Sequence, residues 1–370
     1  MNLEELKNRL ALHMLPGIGP VLARALISYC GSIENIFSSR KGQLERIPGI
    51  GRERALIIRK SNLFKRAEEE ISYMNKNGIR PLFYLDEDYP RRLKNCDDAP
   101  LMLFYKGNAV LNSKRIVSVV GTRFMTPYGK YETEKLIEQL VKYKVTIVSG
   151  LAYGVDVQAH RSALKHGLDT IGVIAHGLDK MYPSENKPTA DRMLQQGGLL
   201  TEYPFKTNPD RENFPARNRI VAGMSDAVIV IESAEKGGAL ITAELGNDYN
   251  REVFALPGRT NDHFSKGCHK LIRENKAMLF ENAKHIAEMM SWEDDTQPLK
   301  INKSIQQELF ATFGKDEMKV IETLKQTGNT GIDELAAHVL FPVGKVSGIL
   351  LNLEFAGVLR SLPGKRYELI

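Results

Sequence analysis

The chain has 370 residues, 42% hydrophobic and 26% charged, which fits a globular protein of two to four domains and excludes a disordered chain or a fibre. No apolar stretch approaches the roughly 18 residues that a membrane span needs. Net charge is +6, and it is unevenly placed: residues 1–80 hold 14 Lys/Arg against 8 Asp/Glu, while the remainder holds 37 of each sign. A basic first segment points to nucleic acid or another polyanion, or to a solvated basic surface. The opening MNLEELKNRLALHMLPGIGP lacks the basic start and apolar core of a signal peptide. Cys30, Cys96 and Cys268 are too scattered for a disulfide framework or a zinc site, so they read as reduced thiols of a cytoplasmic protein.

Residues 1–76 read as helical and contain a repeat, LPGIGPVLARAL at 15–26 and IPGIGRERALIIR at 47–59. This is the helix-hairpin-helix pattern of a SAM-like domain. Its glycines permit a tight turn, and the start of the second helix exposes backbone N–H groups that can hold a phosphate. Two readings stand side by side: tandem phosphate-binding hairpins, or two structural hairpins packed on each other. The second copy is basic (Arg52, Arg54, Arg59) and the first is not.

Residues 77–290 form an extended second domain. In its connector, RPLFYLD opens a sheet and PLMLFYKG adds an edge strand. From residue 115, apolar strands alternate with amphipathic helices. RIVSVVG, KVTIVSG, DTIGVIAHG and DAVIVIES read as strands, and EVFALPG closes the series; helices are expected near 128–143, 154–167, 188–196, 217–226 and 239–250. Buried strands between helices predict an α/β, Rossmann-like, doubly wound parallel sheet. Residues 291–314 read as a polar linker. Residues 315–370 give three short helices and a basic hairpin, a winged-helix pattern, whose third helix VGKVSGILLNLEF carries little positive charge.

In an open α/β sheet, ligands gather at the carboxyl ends of the strands. VGTR (120–123), SGLAYG (149–154), AHGLD (175–179) and KGGALIT (236–242) fall there. Such turns supply backbone N–H groups for phosphate. Arg123, Lys236 and Lys266 add charge, and Thr122, Ser149 and Thr242 add hydroxyls. In FPARNR, Arg217 and Arg219 flank Asn218, either as an anion clamp or as a helix start tied down by structural hydrogen bonds. Asp156 and His160 share a helix face, either as a catalytic dyad or, the favoured reading, with Asp156 capping the helix start and His160 making a buried structural hydrogen bond. Glu202 and Glu244 are weak candidates for general bases. No G-x-G-x-x-G, Walker A loop, serine elbow or metal-ligand pattern is present, so no cofactor or metal is expected.

The order VGTR, SGLAYGVDVQAH, GLDKMYP, TEYPF, FPARNRIVAG, VIVIES, GGALITAELG and VFALPG resembles the bacterial DNA processing family DprA, also called Smf, through residues 115–280. The resemblance implies a non-enzymatic protein. It would bind and protect incoming single-stranded DNA, dimerise, and load the recombinase RecA during natural transformation. It implies a basic phosphate pocket built from Gly121, Thr122 and Arg123; Ser149 and Gly150; Lys236, Gly237, Gly238 and Thr242; and Lys266 and Arg273 around Gly267–Ile272. Two positions depart from the family pattern: Gly237-Gly238-Ala239 replaces a hydroxyl-bearing turn, and His269 stands where Asn is common.

Three functions compete. The first is the single-strand binder, with Phe124 and Tyr153 either stacking on bases or packing on the sheet, and with duplex or partner contacts through the helical ends. The second is a nucleotide-processing hydrolase of phosphoribohydrolase type, suggested by Gly237, Gly238, Thr242 and Glu244 although its full motif is absent. The third is an interaction scaffold with a vestigial pocket.

Overall fold

The computed structural model describes residues 2–294, 313–355, 358–362 and 366–369. Met1–Thr296 form one compact unit and Gln297–Ile370 a second. The expected linker at 291–314 lies largely outside the described residues.

The first unit opens with six helices: α1 (Leu3–His13), α2 (Pro20–Cys30), α3 (Ile33–Ser38), α4 (Lys41–Leu44), α5 (Gly51–Lys60) and α6 (Phe64–Asn77). Their core is Leu10, Leu12, Leu26, Ile36, Leu44 and Ile50, each almost fully buried. The repeated turns carry glycines in left-handed backbone, Gly17 at φ +70° and Gly49 at φ +81°. The two hairpins pack directly together. A Cβ on Gly49 would stand 2.7 Å from Leu22 Cδ2. Arg54 spans both turns, donating from Nε to the Gly17 carbonyl (3.1 Å) and from Nη1 to the Gly49 carbonyl (2.6 Å). Arg59 donates to the Phe37 carbonyl. Two of the three arginines of the second repeat therefore bond to the helical segment's own backbone, while Arg52 is exposed.

The helical segment is continuous with the sheet domain. Its core extends into Phe83, Leu101, Met102 and Phe104. Arg24 donates to the Ala99 carbonyl, His13 Nε2 bonds the Glu202 carbonyl at 2.8 Å, and Tyr73 stacks on Phe205.

The sheet has nine strands in the order β1-β2-β6-β5-β4-β3-β7-β8-β9. They are β1 (Arg80–Phe83), β2 (Met102–Gly107), β3 (Ile116–Val120), β4 (Thr146–Ser149), β5 (Thr170–Val173), β6 (Gly197–Thr201), β7 (Ala227–Val230), β8 (Glu252–Ala255) and β9 (Met278–Leu279). From β6 to β9 every pairing is parallel. β2 runs antiparallel to both β1 and β6. The sheet is thus mixed, and PLMLFYKG is internal where an edge strand was expected. Its residues Met102–Tyr105 are all buried: Met102 and Phe104 pack under the N-terminal helices, Leu103 and Tyr105 in the core on the other face. The true edge on that side is β1, and β9 extends the sheet beyond EVFALPG.

The other helices of this unit are α7 (Arg91–Lys94, between β1 and β2), α8 (Pro127–Leu140), α9 (Val155–Lys165), α10 (Lys187–Met193), α11 (Asn213–Gly223), α12 (Gly238–Asp248) and α13 (Lys266–Arg273) between the later strands, and α14 (Ala283–Met289) after β9. Side chains of the strands alternate between two cores. Val117, Val119, Ile147 and Ile229 face α8, α9 and α14. Val120, Val148, Val228 and Val230 face α11 and α12. This is the doubly wound arrangement expected. α11 begins at Asn213, four residues before the expected start, with Pro215 in the first turn where a missing N–H costs nothing.

The second unit has α15 (Lys315–Thr327), α16 (Ile332–Val339) and α17 (Val343–Phe355), with a small sheet of β10 (Thr330–Gly331), β12 (Arg366–Leu369) and β11 (Leu359–Leu362), in that order. This is a winged helix, closed on Val320, Leu324, Leu335, Val346, Leu350 and Leu353. Among the described residues no single helix is long and apolar enough to cross a membrane.

The packed hairpins make a prediction about glycine. Gly49→Ala combines left-handed strain with a clash on Leu22, whereas Gly31, at φ +79°, has open space before it. Gly31→Ala is expected to cost about 1–3 kcal/mol from strain alone, and Gly49→Ala more. Urea unfolding of both variants checks the ordering; equal losses would contradict the close packing of the two turns.

Candidate nucleic-acid interface

The order of strands reverses between β3 and β7: the chain runs outward from β3 to β4, β5 and β6, then returns to β7 on the other side. Such a switch leaves a crevice at the carboxyl ends of the strands. A cleft of about 780 Å³ lies there. Its walls are the turn after β3, the turn after β4, the first half of α11 and the start of α12.

Of the residues expected at a phosphate site, Gly121, Thr122, Arg123, Gly150, Arg217, Asn218, Gly237, Gly238 and Thr242 line this cleft together. Gly237 is the N-cap of α12, and no side chain caps that helix. The start of an uncapped helix directs N–H groups and the positive end of its dipole outward. Here it faces the cleft, so the Gly-Gly turn presents backbone to the opening.

Arg217 lies at the floor, only 4% exposed. Its Nη1 donates to the carbonyls of Gly150 (2.5 Å) and Val173, and its Nε donates to Asn218 Oδ1 at 3.3 Å. Burial pulls its pKa down to about 10, with Asp156 opposing the shift and Arg123 adding to it, so the guanidinium stays charged at neutral pH. This contact also explains Gly150, where a Cβ would stand 2.6 Å from the guanidinium carbon. Asp156 accepts from the Gly150 N–H at 3.1 Å, which fixes the turn; burial pushes its carboxyl pKa up, against the pull of Arg217.

His160 is fully buried and bonds Thr170 Oγ1 through Nδ1 at 2.7 Å. Burial, then the charge of Arg217, lowers its pKa to about 3. Asp156 and His160 therefore have separate partners: His160 is the buried structural histidine expected, whereas Asp156 does not cap α9, whose N-cap is Gly154 without a side-chain cap, but braces the turn before it.

Five candidates stand outside the cleft lining. Ser149 is fully buried and donates its hydroxyl to the Val119 carbonyl at 2.6 Å, tying β4 to β3. Arg219 pairs with Glu202 and donates to the Asp98 carbonyl at 2.6 Å, because it projects from α11 toward β6 and the connector. Lys236 is exposed on the turn just before Gly237; Lys266 and Arg273 are exposed on α13. His269 bonds the Gly258 carbonyl at 2.9 Å. Glu202 is spoken for by Arg219, and Glu244 is exposed, 3.6 Å from Lys276.

The cleft also holds residues that the sequence alone does not single out: Arg211, Phe214, Phe264 and Tyr182. Arg123 lies over the Phe214 ring at 5.7 Å, and Tyr182 packs against Phe214 with ring centroids 5.6 Å apart. Phe124, 76% exposed, lies near-parallel to Phe264 at 6.4 Å. Tyr153 instead donates its hydroxyl to Glu185. The only signal for Phe214 is its place at the head of FPARNR. An arginine-bearing floor, an uncapped helix start and an aromatic rim together suit a chain of phosphates with attached flat bases.

Comparison with known proteins bears on the whole chain. The sequence profile described as DNA recombination-mediator protein A matches residues 80–291, that of a SAM-like helix-hairpin-helix tandem matches 10–60, and that of a DprA winged-helix domain matches 313–365. Protein Smf of Synechocystis is 34% identical over 393 aligned positions, covering 97% of each chain. DNA processing protein DprA of Bacillus subtilis is 42% identical over 200 positions, 54% of this chain and 67% of that one. The crystal structure of DprA from Streptococcus pneumoniae superposes with a TM-score of 0.66 at 33% identity, covering 78% of this chain and 98% of that one. DprA from Helicobacter pylori, described for its single-stranded DNA binding mode, gives 0.53 at 32% identity, covering 58% and 97%. With a matching profile over the sheet domain and a full-length relative on both counts, the chain belongs to the DprA (Smf) family of DNA recombination mediators.

Proposed function

We propose that this protein binds single-stranded DNA through the cleft at the β3/β7 switch, as a mediator of DNA recombination in natural transformation. The observation that carries the reading is the convergence of exposed Arg123, buried Arg217 and the open start of α12 on one cleft rimmed by Phe124, Phe214 and Phe264. Phosphates approach the arginines and the Gly237-Gly238 backbone, and bases lie against the exposed rings. The binding described for the Helicobacter pylori relative supports it. Through the family the reading extends to protection of the strand, loading of the recombinase RecA and action as a homodimer.

The reading needs no chemistry from the cleft. Asp156 is engaged with the Gly150 N–H and His160 with Thr170, so neither is positioned as part of a dyad.

Fluorescence anisotropy with a labelled oligothymidine tests the cleft. Binding should weaken steeply with salt, with a slope of about −0.7 per phosphate neutralised. Arg123→Glu is expected to remove most of the affinity and flatten that slope while leaving the melting temperature in place. Phe124→Ala is expected to cost about 1–3 kcal/mol of binding from lost base stacking. Unchanged binding in both variants would reject the cleft.

His160 separates a structural from a catalytic role. Its ordinary value is 6.5 and its folded value about 3. The unfolded chain therefore binds this proton more readily than the folded one between those values. Its contribution to stability is full above pH 6.5 and is lost as pH falls toward 3, by up to about 1.4 kcal/mol per pH unit. His160→Asn should flatten the stability–pH curve in that window and leave DNA binding at neutral pH intact. An unchanged curve would contradict the buried neutral imidazole.

A further inference from the structure

The irregular segment between β6 and α11, residues 202–212, supplies one wall of the cleft through Pro209 and Arg211, and Phe214 follows it in the first turn of α11. A wall without regular structure must be held from elsewhere, or its ordering opposes every binding event.

The hold is at Phe205, four residues before Pro209. Glu70, on α6 and only 2% exposed, accepts the Phe205 N–H with both carboxylate oxygens at 3.2 Å. Arg66, one turn earlier, pairs with Glu70 at 3.1 Å and donates to the Phe205 carbonyl at 2.6 Å. The N–H and the C=O of one residue are thus both gripped from a single helix. The ring is held as well: it stacks on Tyr73 with centroids 4.5 Å apart, and the Arg66 guanidinium lies over it at 4.2 Å. Residues 66, 70 and 73 share one face of α6. His13, the last residue of α1, holds the root of the same segment at the Glu202 carbonyl.

Phe205 lies within a turn in which the Thr207 N–H and hydroxyl donate to the Pro204 carbonyl at 3.2 and 2.7 Å. The far limb of that turn is tied to the segment after β5. The Lys206 N–H donates to Asp179 at 2.8 Å, and the Gly177 N–H to the Thr207 carbonyl at 3.2 Å. Those partners lie in a loop themselves, whereas α6 is a fourteen-residue helix packed into the helical core. A loop tied to a loop can shift with it; a loop tied to a packed helix is fixed. A buried ion pair adds little stability over apolar side chains of similar size. What the Arg66–Glu70 pair adds is direction, because it accepts one placement of the Phe205 peptide.

We infer that Arg66, Glu70 and Tyr73 are positioning residues for the DNA strand: by fixing Phe205 they hold Pro209, Arg211 and Phe214 in place before the strand arrives. None of the three lines the cleft. The inference rests on the proposal that the strand occupies the cleft.

Oligothymidine anisotropy on the full-length protein tests it with Glu70→Ala and Phe205→Ala, each checked by a thermal melt. Phe205→Ala frees the loop from its own side and decides the matter if Glu70→Ala does not fold. Each is expected to weaken binding about tenfold, the effect of ordering one or two side chains at the moment of binding. The salt slope should stay unchanged, because every phosphate contact is still made once the wall is ordered. Glu70→Gln keeps an acceptor for the Phe205 N–H and should bind closer to the parent than Glu70→Ala. In a protein already carrying Arg211→Ala and Phe214→Ala, measured at low salt, the loss from Phe205→Ala should shrink to about twofold, since the side chains it positions are gone. Parent-like binding by folded Phe205→Ala would overturn the inference. So would a loss undiminished in the Arg211→Ala/Phe214→Ala protein. Arg123→Glu, run alongside, separates the two claims. If it binds as the parent does, the cleft reading fails and the inference with it; if it abolishes binding while Phe205→Ala has no effect, the positioning claim alone fails.

Discussion

A charged guanidinium sits almost out of water at the bottom of the cleft, and much of the surrounding architecture serves to hold it. Removing a cation from water costs several kcal/mol unless hydrogen bonds and an opposite charge replace the lost hydration. Arg217 has both: the carbonyls ending β4 and β5, Asn218 beside it, and the charge of Asp156. The arrangement dictates a glycine at 150, a carboxylate to hold the same turn, and a neutral histidine behind it. Of the residues that look catalytic in the sequence, Asp156 thereby supports the buried charge, while His160 bonds Thr170 and stays neutral beside it. The same charge makes the cleft attractive to phosphate, because a field in a partly desolvated pocket is screened less than one at an open surface.

The fold is largely legible in the sequence because its signals are local. Uniformly apolar runs such as IVSVV and AVIV mark strands covered on both faces, and the paired P-G-I-G turns mark the hairpins. What escapes is non-local. PLMLFYKG reads as an edge because nothing in its own residues shows that β1 pairs along its outer side. The hairpin arginines look like phosphate ligands by composition, but Arg54 bridges the two turns, a contact spanning 37 residues.

The cleft divides in the same way. Residues at strand ends, such as Arg123 and Gly150, are legible because the sheet topology places them. Ser149 and Arg219 lie within one or two residues of the cleft-lining Gly150 and Arg217, yet point elsewhere: a strand alternates its faces, and a helix turns by about 100° per residue. Spacing alone does not reveal which neighbour faces the opening. Phe264 and Arg211 come from loops whose path only the folded chain displays.

The central claim is that a strand of DNA occupies the β3/β7 cleft. Hydrogen exchange of the backbone amides, with and without saturating oligothymidine, tests it most directly. The account predicts slowed exchange at residues 121–124, 150–154 and 237–241, the turns that line the cleft, with little change at the hairpin turns 15–19 and 47–51. Protection confined to those turns, with the cleft amides unchanged, would contradict it and move the DNA site to the helical segment.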